Sequence, residues 1–375
     1  MSIIIKINMN KKIVIGVISL VVLIGAVTLY IKKDTPTTPV TPQQAKIVNL
    51  GAVLAMSGYA AADGEDIKNG IELAKTDLAK NGVTLNVDYF DDATDPTKTL
   101  SGINLLTSKG IKLIMGPTWG FQVTAALPVI ENKDVALFLP AQASDNVLGL
   151  SSKAFFAKPS TAKKQAPTEA WLKQVNAKKV AVFVVIFSGD NWSDGHLKTW
   201  TSAVKNSGAE LTMVEKINLN EESDITQTLL LKAKQKGVDT ILWTGTDGGA
   251  ITLIKKMQEM NLKASVLGTT QIEKVISTGK VTKGNLALYA LMGNTSGEFA
   301  KKFASVYGAD KRFDYAEGAY DLTMIAAQEA VSNTSSTGVA DYIKKNINYS
   351  GFGGSYTFDT NGDRPSADWK IVEMK

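Results

Sequence analysis

The chain has 375 residues, of which 44% are hydrophobic and 21% are charged, so it is long enough for two or more domains with real cores. Most of its formal charge of +5 falls on the first 45 residues, and the remainder is nearly balanced between basic and acidic side chains. That balance argues against a nucleic-acid-binding surface. The absence of cysteine excludes disulfides, thiolate metal sites and cysteine catalysis.

The N-terminal part contains an apolar segment, residues 13–31, which is 19 residues long and carries no charge. At about 1.5 Å per residue a helix of this length nearly matches a hydrocarbon core of about 30 Å, so we predict a transmembrane signal anchor. Residues 1–12 would then be a short cytoplasmic segment. A cleaved signal peptide is the alternative, although the apolar segment exceeds the usual signal core and no A-x-A-like site follows it.

The Pro/Thr-rich residues 32–45 are predicted to form an extended, solvated linker. Under both interpretations of the apolar segment, the rest of the chain is exported from the cytoplasm. The expected location is therefore the cell membrane, with a single pass and with the folded part outside the cell or in the periplasm.

From residue 46 onward, apolar runs typical of buried strands alternate with segments of helical spacing. The first half has predicted strands at residues 46–54, 84–90, 111–115 and 135–139. The second half has predicted strands at residues 180–187, 211–217, 240–243, 264–267 and 286–292, and a final extended piece from residue 355. Predicted helices lie between these strands and at about residues 296–306, 315–331 and 339–345. This alternation predicts an α/β fold with parallel sheets, and the length favours two lobes over one sheet.

The unit formed by residues 111–144 reads as strand, loop, helix and strand. In open sheets of such units, ligands bind beyond the carboxyl ends of the strands. Residues 116–121 and 140–144 are therefore expected to form two adjacent edges of a pocket.

Five short landmarks, in this order and spacing, carry a resemblance to a known family. They are GAVLAMSG at 51–58, FDDATDP at 90–96, Gly116-Pro117 followed by Pro140-Ala141, Ala319-Tyr320-Asp321, and FDTNGD at 358–363. With these landmarks, residues 46–375 resemble the type I periplasmic binding proteins of the branched-chain amino-acid (leucine-binding) type, which serve ABC importers.

The resemblance implies two doubly wound, parallel-sheet lobes that are joined by three crossovers and close on a ligand. Lobe 1 would comprise residues 46–160 and 292–354, and lobe 2 would comprise residues 161–291 and 355–375. The crossovers would fall near residues 158–163, 288–293 and 354–357.

The amino-acid clamp that the resemblance implies is altered in this sequence. Relatives that bind leucine-like ligands place two hydroxyl side chains and a glutamate at positions that correspond here to Gly120, Ala143 and Thr270. Backbone amides at Gly120 and Ala141 remain available for an anion, but a buried ammonium without a carboxylate partner is costly. Ser144 is a candidate replacement for the missing hydroxyl, or it caps the next turn.

Two aspartates are further candidates, because they stand where relatives often place pocket aromatics. Asp63 and Asp247 would pair with a cation on the ligand. The alternative for Asp63 is an N-cap of the helix that follows, and for Asp247 a turn or cap after a strand.

Three aromatic residues are predicted on loops that follow strands, where they are less easily explained as core. Trp119, Phe121 and Trp192 are therefore candidates for stacking on a ligand. An enzymatic role is not expected, because His196 is the only histidine and no catalytic, nucleotide-binding or metal-binding motif is complete. No cofactor is predicted.

The sequence thus predicts the extracellular substrate-binding protein of an ABC importer. It would capture a small polar solute, an amino acid or an amide-like or amine-like compound, by hinge closure of two lobes. Its expected partners are the small-molecule ligand, a transporter permease and the membrane through the N-terminal helix, and the exported part is expected to be monomeric. A ligand-binding sensor that signals through a separate protein, and a degenerate homologue that does not transport, are the alternatives.

Overall fold

The structure, a computed structural model, describes residues 46–141, 147, 149–186, 192–293, 296–309, 311, 313–365 and 369–375. The predicted cytoplasmic segment, anchor and linker lie outside these ranges. None of the helices within the ranges is long and apolar enough to cross a membrane.

Sheet I has five parallel strands in the order β2-β1-β3-β4-β5. They are β1 (Lys46–Leu54), β2 (Val83–Asp91), β3 (Leu113–Met115), β4 (Ala136–Leu139) and β5 (Ala154–Phe156). The helices that connect the first four strands are α1 (Ala61–Lys80), α2 (Pro96–Ser108) and α3 (Gly120–Ile130). Each of the first three strands is thus followed by a helix that returns the chain to the start of the next parallel strand.

Sheet II has six strands in the order β13-β10-β9-β8-β6-β7, and only the edge strand β13 is antiparallel to its neighbour. Its strands are β6 (Lys179–Ile186), β7 (Glu210–Asn218), β8 (Thr240–Thr244), β9 (Ser265–Gly268), β10 (Leu288–Met292) and β13 (Lys370–Glu373). The helices of this half are α4 (Gln165–Gln174), α5 (Trp192–Ser207), α6 (Glu222–Gln235), α7 (Asp247–Glu259) and α8 (Thr270–Ser277).

Three later helices follow β10, and a short hairpin lies after them. The helices are α9 (Gly297–Tyr307), α10 (Ala316–Ser332) and α11 (Val339–Asn346), and the hairpin pairs β11 (Tyr349–Gly351) with β12 (Gly354–Tyr356). Although they come after sheet II in the sequence, these helices pack with the residues of sheet I. Ile325 of α10 and Ile343 of α11 belong to the same buried cluster as Leu50 of β1 and Ile67 of α1.

Both faces of each sheet are covered by helices, as parallel sheets require. In sheet I, alternate residues of one strand point into different clusters, so that Leu50 packs with α1 and α10 while Val53 packs with α2 and α3. In sheet II, Phe183 packs with α6 and α7, whereas Val182 packs with Trp171 and Trp200 from α4 and α5. Each sheet therefore has cores of its own.

The chain passes between the two sheets three times. It leaves sheet I after β5, returns after β10 to pack α9 to α11 against sheet I, and reaches sheet II again with β13. Tyr356 and Phe358 still belong to a core of sheet I, so the last passage lies between residues 358 and 370. The α/β fold with parallel sheets is as predicted, and the lobe boundaries assigned from the sequence stay a prediction.

Candidate functional site

A cavity of about 300 Å³ lies beyond the carboxyl ends of strands from both sheets, as expected for open α/β sheets. We call this cavity the cleft. Residues from the sheet I half line one side: Asp63, Thr118, Trp119, Gly120, Ala141, Lys158, Asp314 and Tyr315. Residues from the sheet II half line the other: Lys164, Trp192, Gly245, Thr246, Asp247, Thr269, Thr270, Gln271, Lys274, Leu291 and Trp369.

Trp119 is fixed in the cleft by both its backbone and its indole. It is the N-cap residue of α3, and its backbone N–H donates to Gln122 Oε1 at 3.2 Å. Its indole Nε1–H donates to Asp63 Oδ2 at 2.7 Å. Its ring also packs edge-on against Tyr59 and Phe121, at centroid distances of 5.7 and 6.2 Å. The ring is therefore held in one orientation at the cleft wall.

A buried polar chain supports this arrangement from behind. Gln122 Nε2–H donates to Thr99 Oγ1 at 3.0 Å, and the Thr99 hydroxyl donates to Asp92 Oδ2 at 3.0 Å. Asp92 and Gln122 are completely buried. Burial raises the pKa of Asp92, while hydrogen bonds from Thr94 N–H and the nearby side chains oppose that rise. The chain connects the start of α3 to the turn that contains the acidic landmark at residues 90–96.

On the opposite wall, Glu222 holds the loop that leads into α7. Its carboxylate accepts from the Thr246 backbone N–H at 3.1 Å and from the Thr246 hydroxyl at 2.5 Å. The same hydroxyl oxygen accepts from Gly249 N–H, which caps the helix. Burial raises the pKa of Glu222, and the two hydrogen bonds from Thr246 oppose the rise. A Cβ at position 249 would lie 1.8 Å from Glu222 Oε1, so a larger residue there would force the Glu222 carboxylate to move.

Asp247 is engaged by lysines of its own half. Lys274 Nζ lies 2.8 Å from Asp247 Oδ2 and Lys280 Nζ lies 3.6 Å from the same oxygen. Lys274 also approaches Asp314 Oδ2, at 4.0 Å. The sequence suggested that Asp247 pairs with a cation on the ligand, but within the described residues its carboxylate already meets two cations of the protein.

The clamp positions lie in the cleft where the structure describes them. Gly120 begins α3, and Thr270 begins α8 directly after the N-cap residue Thr269, so both stand at helix N-termini. Ala141 follows β4 and is buried. Ala143 and Ser144 lie outside the described residues. Neither Gly120 nor Ala141 offers a polar side chain, so only main-chain groups are available from these two positions.

Lys164 and His196 form a buried polar pair beside the cleft. Lys164 Nζ lies 2.8 Å from His196 Nε2, and the ammonium also lies 4.1 Å from the centroid of the Trp369 ring. The His196 ring packs between Trp192 and Trp200, at centroid distances of 4.2 and 5.5 Å. Burial, followed by the positive charge of Lys164, holds the pKa of His196 well below its ordinary value of 6.5.

A second cavity, of about 930 Å³, shares Lys158, Thr270, Lys274 and Asp314 with the cleft and extends from it towards the segments that connect the sheets. In this cavity Glu317 accepts from Ser296 N–H at 2.8 Å, just after β10. Burial raises the pKa of Glu317 to about 7.

Arg364 forms hydrogen bonds that connect the chain at the first and third passages between the sheets. It donates to the carbonyl oxygens of Ala157, Gly353 and Ser355, and its guanidinium lies 3.5 Å from the centroid of the Tyr356 ring. Lys163 adds an ion pair with Asp363 at 3.3 Å. The guanidinium therefore fixes residue 157, before the first passage, to the hairpin before the third.

Most of the residues predicted from the sequence come together at this one place. Seven of them line the cleft: Asp63, Trp119, Gly120, Ala141, Trp192, Asp247 and Thr270. Phe121 is not among the described residues that line the cleft and contacts the Trp119 ring instead.

Local details of three predictions were wrong. Ala60, not Asp63, is the N-cap of α1, and Asp63 lies inside the first turn. Phe121 and Trp192 belong to helices rather than loops, because α3 and α5 begin earlier than their apolar spacing indicated.

Three lysines that line the cleft, Lys158, Lys164 and Lys274, were not singled out from the sequence. Lys158 lines both cavities, and its ammonium lies 5.0 Å from the centroid of the Tyr315 ring. Lys164 lies at the end of a short 3-10 helix, Thr161–Lys164. For Lys158 and Lys164 the available signal was their place within or directly after the crossover predicted near residues 158–163.

Fold and cleft together define a class of protein: two parallel α/β sheets connected by three passages of the chain, with a polar and aromatic cavity at their facing carboxyl ends. Solute-binding proteins have this architecture. Residues 47–375 match the family model described as periplasmic binding protein, and the chain belongs to that family. The match confirms the resemblance found in the sequence.

Relatives of the leucine-binding type are similar over most of the chain. The "Leu/Ile/Val-binding protein homolog 2" of Brucella abortus is 23% identical over 342 residues, which cover 88% of this chain and 90% of the relative. The crystal structure of the branched-chain amino-acid transporter substrate-binding protein LivJ from Streptococcus pneumoniae, in complex with isoleucine, superposes with a TM-score of 0.70 at 19% identity. That match covers 88% of this chain and 100% of LivJ.

A second solved structure differs in its ligand. The solute-binding protein of an ABC transporter from R. palustris, in complex with benzoate, superposes with a TM-score of 0.71 at 16% identity. It covers 88% of this chain and 93% of the other. The same fold therefore accommodates both an amino acid and an aromatic acid in these two proteins.

Proposed function

We propose that this protein is the substrate-binding component of an ABC importer, and that it captures a small polar solute in the cleft. The observation that carries the proposal is the convergence of polar and aromatic side chains from both sheets at the carboxyl ends of their strands. The family, and relatives whose names refer to branched-chain amino acids, support it. The protein would bind its ligand and pass it to a permease, without a catalytic step.

Capture would involve hinge closure of the two lobes assigned from the sequence. The three passages between the sheets are the only candidate hinge segments within the described residues, because every other connection stays within one half. Each half has its own cores, which supports movement as a rigid body. A ligand that contacts both walls of the cleft would favour the closed state through its higher affinity for that state.

Residues 13–31 would anchor the protein in the membrane, and residues 32–45 would hold the binding part away from the membrane. The binding part would be monomeric. The length and apolar character of the anchor segment, and the Pro/Thr composition of the linker, support this arrangement. The exported part would face the extracellular or periplasmic side, as befits a receptor for an importer.

Two of the site residues proposed from the sequence are revised: Phe121 contacts the Trp119 ring and is not among the described residues that line the cleft, and Asp247 pairs with a lysine. Trp119, Trp192 and Thr270 stay as proposed ligand contacts, with main-chain groups at Gly120 and Ala141. Asp247 is a weaker candidate for direct contact, because Lys274 already neutralises its carboxylate. An amine without an acidic group is accordingly a less favoured ligand than an amino acid or another compound with a negatively charged group.

The test is thermal unfolding of the full-length chain in mild detergent with a panel of amino acids, carboxylates, amides and amines. A ligand at 100 times its dissociation constant stabilises the folded state by about 2.7 kcal/mol, which raises the melting temperature by a few degrees. Small-angle scattering with the same ligand should show compaction. If no compound on the panel raised the melting temperature, the proposal would give way to the degenerate homologue. Binding without any associated permease would favour the sensor.

A further inference from the structure

A cluster of buried ionisable side chains lies where the passages between the sheets come together. It consists of four residues, which we call the hinge cluster: Glu317, Asp321, Tyr356 and Arg364. None of them is more than 7% exposed. Glu317 accepts from Ser296 N–H, just after the second passage, and Arg364 donates to the Ala157 carbonyl oxygen, just before the first. The cluster therefore connects segments whose backbone must change when the two halves of the protein move.

Gly353, in the turn of the hairpin, brings the four side chains close together. Its N–H donates to Asp321 Oδ2 at 2.7 Å, and its carbonyl oxygen accepts from Arg364 Nη2 at 2.8 Å. A Cβ at this position would lie 2.7 Å from Tyr356 Oη and 3.4 Å from Glu317 Oε1. Glu317 and Asp321 are four residues apart on α10, so they lie on the same face of the helix. Two carboxyl groups thus lie beside one guanidinium.

The two carboxyl groups differ in the donors that surround them. Asp321 accepts from Phe352 N–H at 3.0 Å as well as from Gly353 N–H. Within the described part of the chain, Glu317 accepts one hydrogen bond, from Ser296 N–H at 2.8 Å. Hydrogen bonds to a carboxylate stabilise its charged form. Glu317 is therefore the member of the pair that more readily keeps a proton.

Charged and titratable groups face Glu317 from every side. Asp321 raises the pKa of Glu317, Lys158 and Arg364 lower it, and burial is the largest effect, so that the pKa is about 7. Tyr356 stays neutral, because burial holds its pKa well above the ordinary value. Further charged residues line the same cavity on α8 and on the segment before α10: Glu273, Lys274, Lys280, Lys311 and Asp314. Glu317 thus exchanges its proton near neutral pH.

Histidine, the usual pH-sensitive residue in this range, does not play that part here. His196 is the only histidine of the chain, and it is buried. Burial and the positive charge of Lys164 hold its pKa well below 6.5. The ring is therefore neutral throughout the range from about pH 6 to about pH 8.

The second cavity, which Glu317 lines, lies between the two halves of the protein. Glu317 comes from α10 of the sheet I half, and Lys274 on the cavity wall comes from α8 of the sheet II half. The cavity shares four lining residues with the cleft, so it lies on the side of the passages that narrows when the halves close. Closure would leave less solvent around Glu317, and removal of solvent destabilises a carboxylate relative to a carboxylic acid.

We propose that Glu317 is a proton-dependent switch for lobe closure: the lobes close more readily when its carboxyl group is protonated than when it is ionised. This inference rests on the hinge closure of the proposed function and adds a means of regulating it. The closed state is favoured in acid and loses that advantage as the pH rises through about 7. For each pH unit by which closure raises the pKa of Glu317, the ratio of closed to open molecules changes by up to about 10-fold. Ligand would be held more tightly in acid and released more readily in alkali.

The first experiment measures the distance between the halves in the ligand-free, full-length chain in mild detergent. Because the chain contains no cysteine, Ala79→Cys on α1 and Lys232→Cys on α6 give two unique, exposed labelling sites, one in each half. Spin labels at these sites report the distribution of distances by double electron–electron resonance. We expect two populations whose ratio changes about 3- to 10-fold between about pH 5.5 and about pH 8.5. Small-angle scattering of the same samples should show that the population favoured in acid is the more compact one.

The second experiment repeats the measurement on variants of the labelled chain. Glu317→Gln has no proton to lose and retains an acceptor for Ser296 N–H, so it should show the acid distribution at every pH. Glu273→Gln is the matched control, because it removes another carboxyl group from the wall of the same cavity. Glu298→Gln removes a carboxyl group from the exposed surface of α9 and is a second control. Both controls should retain the pH response of the unaltered residue set.

The outcomes separate this inference from the proposed function. A ratio that does not change with pH overturns the inference, and so does a more compact state in alkali. A pH response that persists in Glu317→Gln, or that disappears in Glu273→Gln, also overturns it. Ligand-free unfolding shows whether Glu317→Gln folds, and the chain that retains Glu317 gives the decision if the variant does not. A chain that binds a compound of the ligand panel but shows no pH response retains the proposed function and loses only this inference.

Discussion

Replacing Glu317 by glutamine should stabilise the protein at neutral and alkaline pH, by an amount that disappears in acid. Glu317 is 7% exposed and accepts from Ser296 N–H at the second passage between the sheets. Burial raises its pKa from 4.5 to about 7, and the negative charge of Asp321 acts in the same direction. The positive charges of Lys158 and Arg364 oppose the rise without cancelling it.

The direction of the stability change with pH depends on how many protons the folded and unfolded states bind. Between pH 4.5 and about 7 the folded state keeps the Glu317 proton while the unfolded state has lost it, so stability falls as the pH rises. At about 1.4 kcal/mol per pH unit, that interval corresponds to about 3 kcal/mol. Glutamine has no proton to lose and retains an acceptor for Ser296. The free energy of unfolding of the variant should therefore equal that of the unaltered protein near pH 4.5 and exceed it by up to about 3 kcal/mol above pH 7.

The assay is chemical denaturation of both proteins at pH 4.5, 5.5, 6.5 and 7.5, at constant ionic strength, with thermal unfolding in parallel. Glu298→Gln is the matched control, since it removes the same charge from an exposed site on the adjacent helix. It should show only the small, salt-screened effect of a surface charge. A stability difference for Glu317→Gln that is constant across the pH range, or that grows towards acid, would refute the reasoning.

Three further substitutions, one of them paired with a control substitution, test the packing around the cleft and the passages. In denaturation experiments, Gly249→Ala should lower the free energy of unfolding by about 1–3 kcal/mol, because the new Cβ displaces Glu222. Gly248→Ala is its control and should be neutral or slightly stabilising, because the nearest neighbour of the new Cβ would be 3.6 Å away. Arg364→Met should cost about 3 kcal/mol or more in the same assay, since three backbone carbonyl groups lose a charged donor, and a smaller loss would contradict that role. Trp119→Phe retains a ring but loses the indole donor, so we expect a loss of about 1–2 kcal/mol, and an unchanged melting temperature would argue against it.

The repeating pattern of the sequence was sufficient to predict the architecture. The predicted strand at residues 46–54 coincides with β1, Lys46–Leu54, and its second half, from Leu50 to Leu54, is buried as expected for a strand inside a parallel sheet. Alternation of such runs with helical spacing requires parallel strands, and the carboxyl ends of parallel strands meet at one edge. For that reason Trp119, Gly120 and Ala141 could be predicted to lie together before any contact was known.

Helix starts were harder to predict than strands. The first turn of a helix is often polar or small, so periodicity identifies only the later turns. Phe121 and Trp192 were therefore assigned to loops, although both lie in first turns. The same limit explains why Asp63 was considered an N-cap while Ala60 occupies that position.

The sequence by itself thus determined the fold class, the family and the edge of the sheets at which the cleft lies, because these depend on periodicity and on order along the chain. Only the tertiary structure decided which charges meet. Asp247 and Lys274 are 27 positions apart and Lys164 and His196 are 32 apart, on different elements in each case. Pairing across such separations depends on how the helices pack on the sheets, so it cannot be predicted from the local spacing of residues.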